Sequence, residues 1–189
     1  ILEALERTGL DRTTLVVLTT DHGELLGDHG LWMKGPFHYE QLVRVPLIVH
    51  SPSRFAPRRV RDLAEWIDLF PTFCELGSTD AGPGNQGRSL LPLLEGRPGA
   101  RGREAAFSAN YFGRMVRHER HKMVYYPGRP YGELYDLEED PAEQENLWDR
   151  LEGSPWTYRV SGAELDPRHA SGAAATVTLR DGREISGVV

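Results

Sequence analysis

The sequence predicts an α/β fold: a layered domain followed by a small antiparallel sheet. Three observations carry this expectation. A short continuous apolar run at residues 15–18 follows a helical pattern and ends on Thr19 and Thr20. A second apolar run, at residues 45–49, precedes a helix-like stretch that opens at Asp68. From Arg103 onward the pattern changes to short segments of strand-forming residues separated by turns and charges. Short apolar runs flanked by helices read as strands buried on both faces of a parallel sheet. Brief β-rich segments between turns read as antiparallel strands.

Taken in order, Ile1, Leu2 and Leu5 share one helical face, and Gly9 supplies a stop, so residues 1–8 read as the end of a helix. Residues 15–20 form the first strand, with Asp21-His22-Gly23 directly after it. Open α/β sheets place their ligand sites at such carboxyl ends. Residues 24–44 are loop-rich, with a short helix around 39–43. Pro46 restricts the second strand to a start near residue 45. Asp68 is expected to N-cap a helix that tolerates Pro71 in its first turn and stops at Gly77. Residues 89–95 suggest another short helix. Strands are expected at 105–110, 114–118 and 122–126, and a helix from Pro141 to about Asp149. Residues 175–179 and 184–189, around Asp181-Gly182, read as a hairpin. The expected division is 1–98, 99–150 and an atypical tail, 151–189.

Composition excludes several classes. The chain has 189 residues, 22 basic and 28 acidic side chains and a net charge of −6. Seven of the acids lie in residues 133–145, read as a solvated loop and helix start, and the remainder is near neutral. No basic stripe marks a nucleic-acid surface. No apolar run approaches the roughly 20 residues of a membrane span. The single cysteine, Cys74, leaves no internal disulfide framework and no paired-cysteine metal site; its helical position suits the core. No secretion signal is visible, and the chain opens inside a helix without an initiator Met, so a fragment is expected. Compartment and oligomeric state are left open.

The chemistry-bearing stretch is Thr20–Gly35. Adjacent Asp21 and His22 at a strand end can turn toward one divalent ion if the backbone bends, a freedom expected of Gly23. Carboxylate with imidazole suits Ca²⁺, Mn²⁺ or Zn²⁺ without selecting among them, and further ligands are needed. The glycine-rich loop then brings Lys34 back toward the pair, as a tetrahedral oxyanion substrate would require. His29 and His38 lie near this loop with either contact or structural roles. His118 and His121 read as a solvated pair, and Trp32, Trp66 and Tyr39 as core or pocket wall.

Thr20–Gly30, Lys34-Gly-Pro-Phe-His-Tyr-Glu40 and Arg44-Val-Pro-Leu-Ile-Val49 together resemble the C-terminal half of the catalytic domain of sulfatases, within the alkaline-phosphatase-like superfamily. The resemblance continues through Asp68-Leu-Phe-Pro-Thr72, Gly87–Leu94 and Glu133–Pro141 with Asn146-Leu147, in the family's usual order. It implies an alkaline-phosphatase-like sandwich, of which this chain holds the C-terminal part of a mixed sheet with flanking helices, then a small antiparallel sheet with a helix. It implies that Asp21 and His22 bind one divalent metal ion, Ca²⁺ in first place with Mn²⁺ or Mg²⁺ as alternatives. It implies that Lys34 contacts sulfate or phosphate oxygens, and that the substrate is a small-molecule or glycan sulfate ester. The family's nucleophile is a formylglycine made within a Cys/Ser-x-Pro-x-Arg motif, which is expected upstream of Ile1. Cys74 lacks that context. His50-Ser-Pro-Ser-Arg54 lies after the metal motif, with His50 in the nucleophile's place. Two alternatives remain: a phosphonate monoester or phosphodiester hydrolase of the same superfamily, and a non-catalytic truncated fragment with negligible turnover.

Overall fold

The computed structural model describes residues 1–118, 120–150, 174–178 and 184–188. The chain divides into two compact units. One comprises Ile1–Asp21 with Val45–Arg103, the other His22–Arg44 with the described residues from Glu104 onward.

In the first unit, helix α1 (Leu2–Thr8) ends at Gly9, whose φ of 71° lets the chain turn left-handed. The Gly9 and Leu10 amides then satisfy the carbonyls of Glu6 and Leu5. Strands β1 (Val16–Thr19) and β2 (Leu47–His50) pair antiparallel, with Val17 opposite Val49 and Leu18 opposite Ile48. The sequence predicted a parallel sheet buried on both faces. An apolar run reports that a strand is buried but says nothing of its neighbour's direction. The opposed Leu18 and Ile48 are both exposed in the described structure, so one face of this pair is open.

Helix α3 (Leu69–Leu76), preceded in the chain by α2 (Glu40–Val43) of the second unit, follows a 3₁₀ turn at Trp66–Asp68. Asp68 does not cap α3 with its side chain, as the sequence suggested. Its carboxylate is fully buried and accepts from the amides of Glu65 (2.9 Å) and Arg88 (2.7 Å) and from the Arg103 guanidinium (Nε 2.8 Å). A charge with that many donors is compensated. Thr72 extends the network, donating to the Asp68 carbonyl and accepting from the Leu90 amide at the start of α4 (Leu91–Glu95). Cys74, Leu90 and Leu91 are buried beside it, so Cys74 is a core residue as expected.

The second unit is built on a four-stranded antiparallel meander, β3 (Ala105–Ala109), β4 (Arg114–His118), β5 (His121–Tyr125) and β6 (Gly132–Asp136). Ala105, Val116, Met123 and Leu134 form its core, joined by Phe107, Leu147 and Trp148. Strand β6 overlaps the acidic run that the sequence reading took for solvated loop. Its acids lie on a strand because Leu134 and Tyr135 are buried there and determine the register. The helix expected from Pro141 is replaced by turns and a 3₁₀ turn at Trp148–Arg150. Asn146 holds this segment to β6, accepting from the Leu134 and Trp148 amides and donating to the Gly132 carbonyl. Strands β7 (Ala174–Thr178) and β8 (Glu184–Val188) pair antiparallel as the hairpin reading expected. The expected turn at Asp181-Gly182 and the rest of the tail lie outside the described residues.

Candidate functional site

Asp21 is separated from the end of β1 by one residue and is exposed, accepting a hydrogen bond from Thr20 Oγ1 at 3.3 Å. His22 is half-buried, with Nδ1 2.6 Å from the Gly23 carbonyl oxygen. A carbonyl can only accept, so Nδ1 carries a proton, and Nε2 is then the nitrogen through which a neutral imidazole would ligate a metal. Gly23 donates its amide to the Leu42 carbonyl (2.9 Å), and a Cβ there would lie 1.7 Å from the Gln41 carbonyl oxygen. Glycine is therefore required by close backbone approach. Its φ is not positive, so close approach is the reason for glycine here.

The loop that follows winds on itself. Leu25 is anchored at 1% exposure, and backbone bonds from Gly27 to Leu31, Asp28 to Leu25 and Gly30 to Gly27 close the turn. Leu26, His29 and Met33 all have positive φ, between 50° and 66°, in addition to Gly27, Gly30 and Gly35. Non-glycine residues in this region are strained and persist only where the surroundings determine them. The His29 ring stacks on Tyr39 at 3.7 Å, which holds one such residue in place. Lys34 sits exposed between left-handed Met33 and Gly35, just before a turn at residues 35–36.

The segment just beyond Lys34 is gripped by the meander of the same unit. Asn110 Nδ2 donates to the Pro36 carbonyl at 2.7 Å, while its Oδ1 accepts from the amides of Phe112 and Gly113. Lys122, fully buried on β5, donates to the His38 carbonyl at 2.8 Å and lies 3.3 Å from Glu40 Oε1. It also pairs with buried Glu143, whose other oxygen accepts from the Glu40 amide at 2.6 Å, at the start of α2 (Glu40–Val43). Burial pushes the Glu143 carboxyl above its ordinary value, with the Lys122 charge opposing. Burial lowers His38 to about 4; the Gly113 backbone works the other way, and the cations Lys122 and Arg114 lower it further. His38 is therefore neutral at pH 7.

Of the predicted residues, Asp21 falls in the first unit, and His22 and Lys34 in the second. A carboxylate and an imidazole are each donor types that a divalent cation accepts. Among the described residues, no group of three His, Cys, Asp or Glu side chains is gathered for a metal. A cavity of about 470 Å³ in the second unit is lined by Phe112, Tyr126, Tyr131 and Trp148, among others, and by none of the predicted residues. His118 and His121 are not a solvated pair: they face each other across β4 and β5, with His118 buried beside Glu104 and His121 beside Asp136. Trp32 and Trp66 are exposed, contrary to the core reading, whereas Tyr39 is half-buried in its ring stack. The sequence reading missed Asn110, Lys122 and Glu143. One signal was available: Lys122 lies inside a β-rich run, at a position whose neighbours Met123 and Val124 are both core-like.

Residues 27–160 match the family described as N-sulphoglucosamine sulphohydrolase, C-terminal. The chain is 31% identical over 158 residues to the Delta 4,5-hexuronate-2-O-sulfatase of Bacteroides thetaiotaomicron, covering 78% of this chain and 33% of that protein. It spans about a third of the length of such curated relatives. A structure solved with its substrate D-glucosamine-2-N,6-O-disulfate superposes with a TM-score of 0.67 at 29% identity, covering 81% of this chain and 33% of that one. The phosphonate monoester hydrolase of Agrobacterium radiobacter superposes with a TM-score of 0.66 at 31% identity, covering 77% and 33%. The fold is the α/β architecture of alkaline-phosphatase-like enzymes. In sequence and in structure, the chain belongs to the sulfatase family and is the C-terminal portion of such a protein.

Proposed function

We propose that this chain supplies part of the catalytic site of a hydrolase that cleaves sulfate esters. Asp21 and His22 hold one divalent cation, and Lys34 contacts the sulfate oxygens. The observation that carries the reading is the His22 Nδ1 bond to the Gly23 carbonyl, which makes Nε2 the nitrogen through which a neutral imidazole would ligate, in a sulfatase-family chain. Ca²⁺ is the favoured ion because it accepts a carboxylate and a flexible number of further ligands, with Mn²⁺ or Mg²⁺ as alternatives. A bound cation of this kind would polarise a sulfate oxygen and lower the pKa of the attacking group.

The chain's own residues do the rest. The Lys34 ammonium is a compact charge with three donors, exposed just before a turn, and it neutralises charge that gathers on the non-bridging oxygens in the transition state. The Gly23 carbonyl fixes the His22 tautomer and ring plane. In this reading the nucleophile is a formylglycine supplied from upstream of Ile1. The substrate is a sulfated sugar or small sulfate ester, in keeping with what the relatives' names describe. A phosphonate monoester is the second reading, favoured by the equal 31% identity to the phosphonate monoester hydrolase structure.

The experiment is to assay the complete protein on 4-nitrophenyl sulfate, a sulfated glucosamine and a phenylphosphonate monoester, alongside Lys34→Ala. Sulfate-ester turnover that falls about 100-fold in the variant supports the reading, by the scale of oxyanion-stabilising groups. Turnover confined to the phosphonate moves the assignment to the second reading. No turnover of any of these substrates, or full activity of the variant, refutes it.

A further inference from the structure

The chain between Lys34 and α2 is held at alternate residues by the meander and the segment that follows it. Asn110 takes the Pro36 carbonyl, Lys122 takes the His38 carbonyl, and Glu143 takes the Glu40 amide. Lys122 and Glu143 are both buried, and they pair with each other and with Glu40. Replacing a buried pair of this kind by apolar residues is often neutral for stability, so its value lies in fixing geometry. The bonds here are aimed at backbone atoms of one segment, two to six residues beyond Lys34. Rings reinforce the grip, since Phe37 and Tyr39 stack and Tyr39 leans on Tyr135 of β6.

We propose that Asn110, Lys122 and Glu143 are positioning residues for Lys34: together they fix the backbone of residues 36–40 and thereby the point at which the Lys34 ammonium meets its substrate. This rests on the reading of Lys34 as the oxyanion-contacting residue. An exposed lysine has several rotatable bonds, and a misplacement of about 1 Å at a reacting group costs on the order of 100-fold in rate. A fixed loop base is what such a residue needs.

The test is a double-mutant cycle in the complete protein, with kcat and KM on 4-nitrophenyl sulfate measured for Lys34→Ala, Lys122→Met and the pair. Lys122→Met is expected to lower kcat/KM about tenfold in the wild-type background and to have almost no effect once Lys34 is alanine, because contacting groups couple and independent ones add. An equal loss in both backgrounds overturns the proposal, since general destabilisation would act in either. Full activity of Lys122→Met overturns it as well. If Lys34→Ala is itself silent, the functional reading of Lys34 fails, a result distinguishable from failure of the positioning role. Where Lys122→Met does not accumulate as folded protein, Asn110→Ala carries the same comparison, because it removes only the bond to Pro36 and the local turn.

Discussion

His38 gives the most quantitative prediction. Its ring is buried next to the cations Lys122 and Arg114, and burial lowers its pKa to about 4, from the ordinary 6.5. Between those two values the unfolded chain binds a proton that the folded chain refuses, so folding stability must rise with pH across this window. The full difference of two and a half pH units corresponds to about 3 kcal/mol, and at pH 5.5 the cost is about 1.4 kcal/mol relative to pH 8. Glu143 acts in the opposite direction. Its carboxyl is raised by burial, so its contribution is present at low pH and lost as pH rises. Comparison with His38→Gln removes this confusion, because Glu143 is common to both proteins and glutamine does not titrate. Urea unfolding midpoints should be measured every half unit from pH 4.5 to 8. The wild-type profile should fall more steeply than the variant's below pH 6.5, with the gap approaching 2–3 kcal/mol (roughly, by the same linkage) near the acid end. A gap that stays constant with pH, or narrows toward acid, refutes the assignment of His38 as a buried neutral imidazole.

Three further outcomes follow from other sites. Gly23→Ala should cost about 3 kcal/mol of stability, seen as a lower thermal midpoint, because its Cβ would meet the Gln41 carbonyl oxygen at 1.7 Å and backbone cannot step aside cheaply. Asp68→Ala should cost about 3–5 kcal/mol, since it strands the Arg103 guanidinium and the Glu65 and Arg88 amides; Asp68→Asn, which keeps an acceptor, should cost less in the same denaturation assay. Asp21→Ala or His22→Ala in the complete protein should weaken divalent-cation retention by at least the roughly 10–100-fold seen for changes around metal ligands. Elemental analysis after dialysis measures this, and unchanged retention in both variants would remove them from the donor set.

The sequence was legible where the signal is local. The Asp21-His22-Gly23 motif, the strand runs and the Gly9 stop depend on neighbours a few residues apart, and each is found where the pattern put it. Pairing direction was not legible, because the apolar run of β1 looks the same beside a parallel or an antiparallel partner. Nor were the buried charges. Glu143 looks in sequence like a solvated residue of a charged stretch, and the partners of Lys122 and Glu143 on the segment beyond Lys34 lie 82 to 103 residues away. Asp68 shows how a right residue can receive a wrong role: it stands at a helix start, yet its carboxylate is committed to Arg103 and two amides. Residue type alone nominated Asp21, His22 and Lys34, whereas the contacts that hold residues 36–40 come from long-range packing.

The separation of those contacts has a consequence for synthesis. The bonds that hold residues 36–40 reach forward 74 residues to Asn110, 82 and 84 to Lys122, and 103 to Glu143. On a ribosome adding about 5–20 residues per second, the loop carrying Lys34 is exposed for roughly 5–20 seconds before Glu143 has been made. A nascent chain cut short before β5 would have Asn110 alone, of the three residues, to hold the segment beyond Lys34. The hold on residues 36–40 is thus complete only after the chain has passed β6 and reached Glu143.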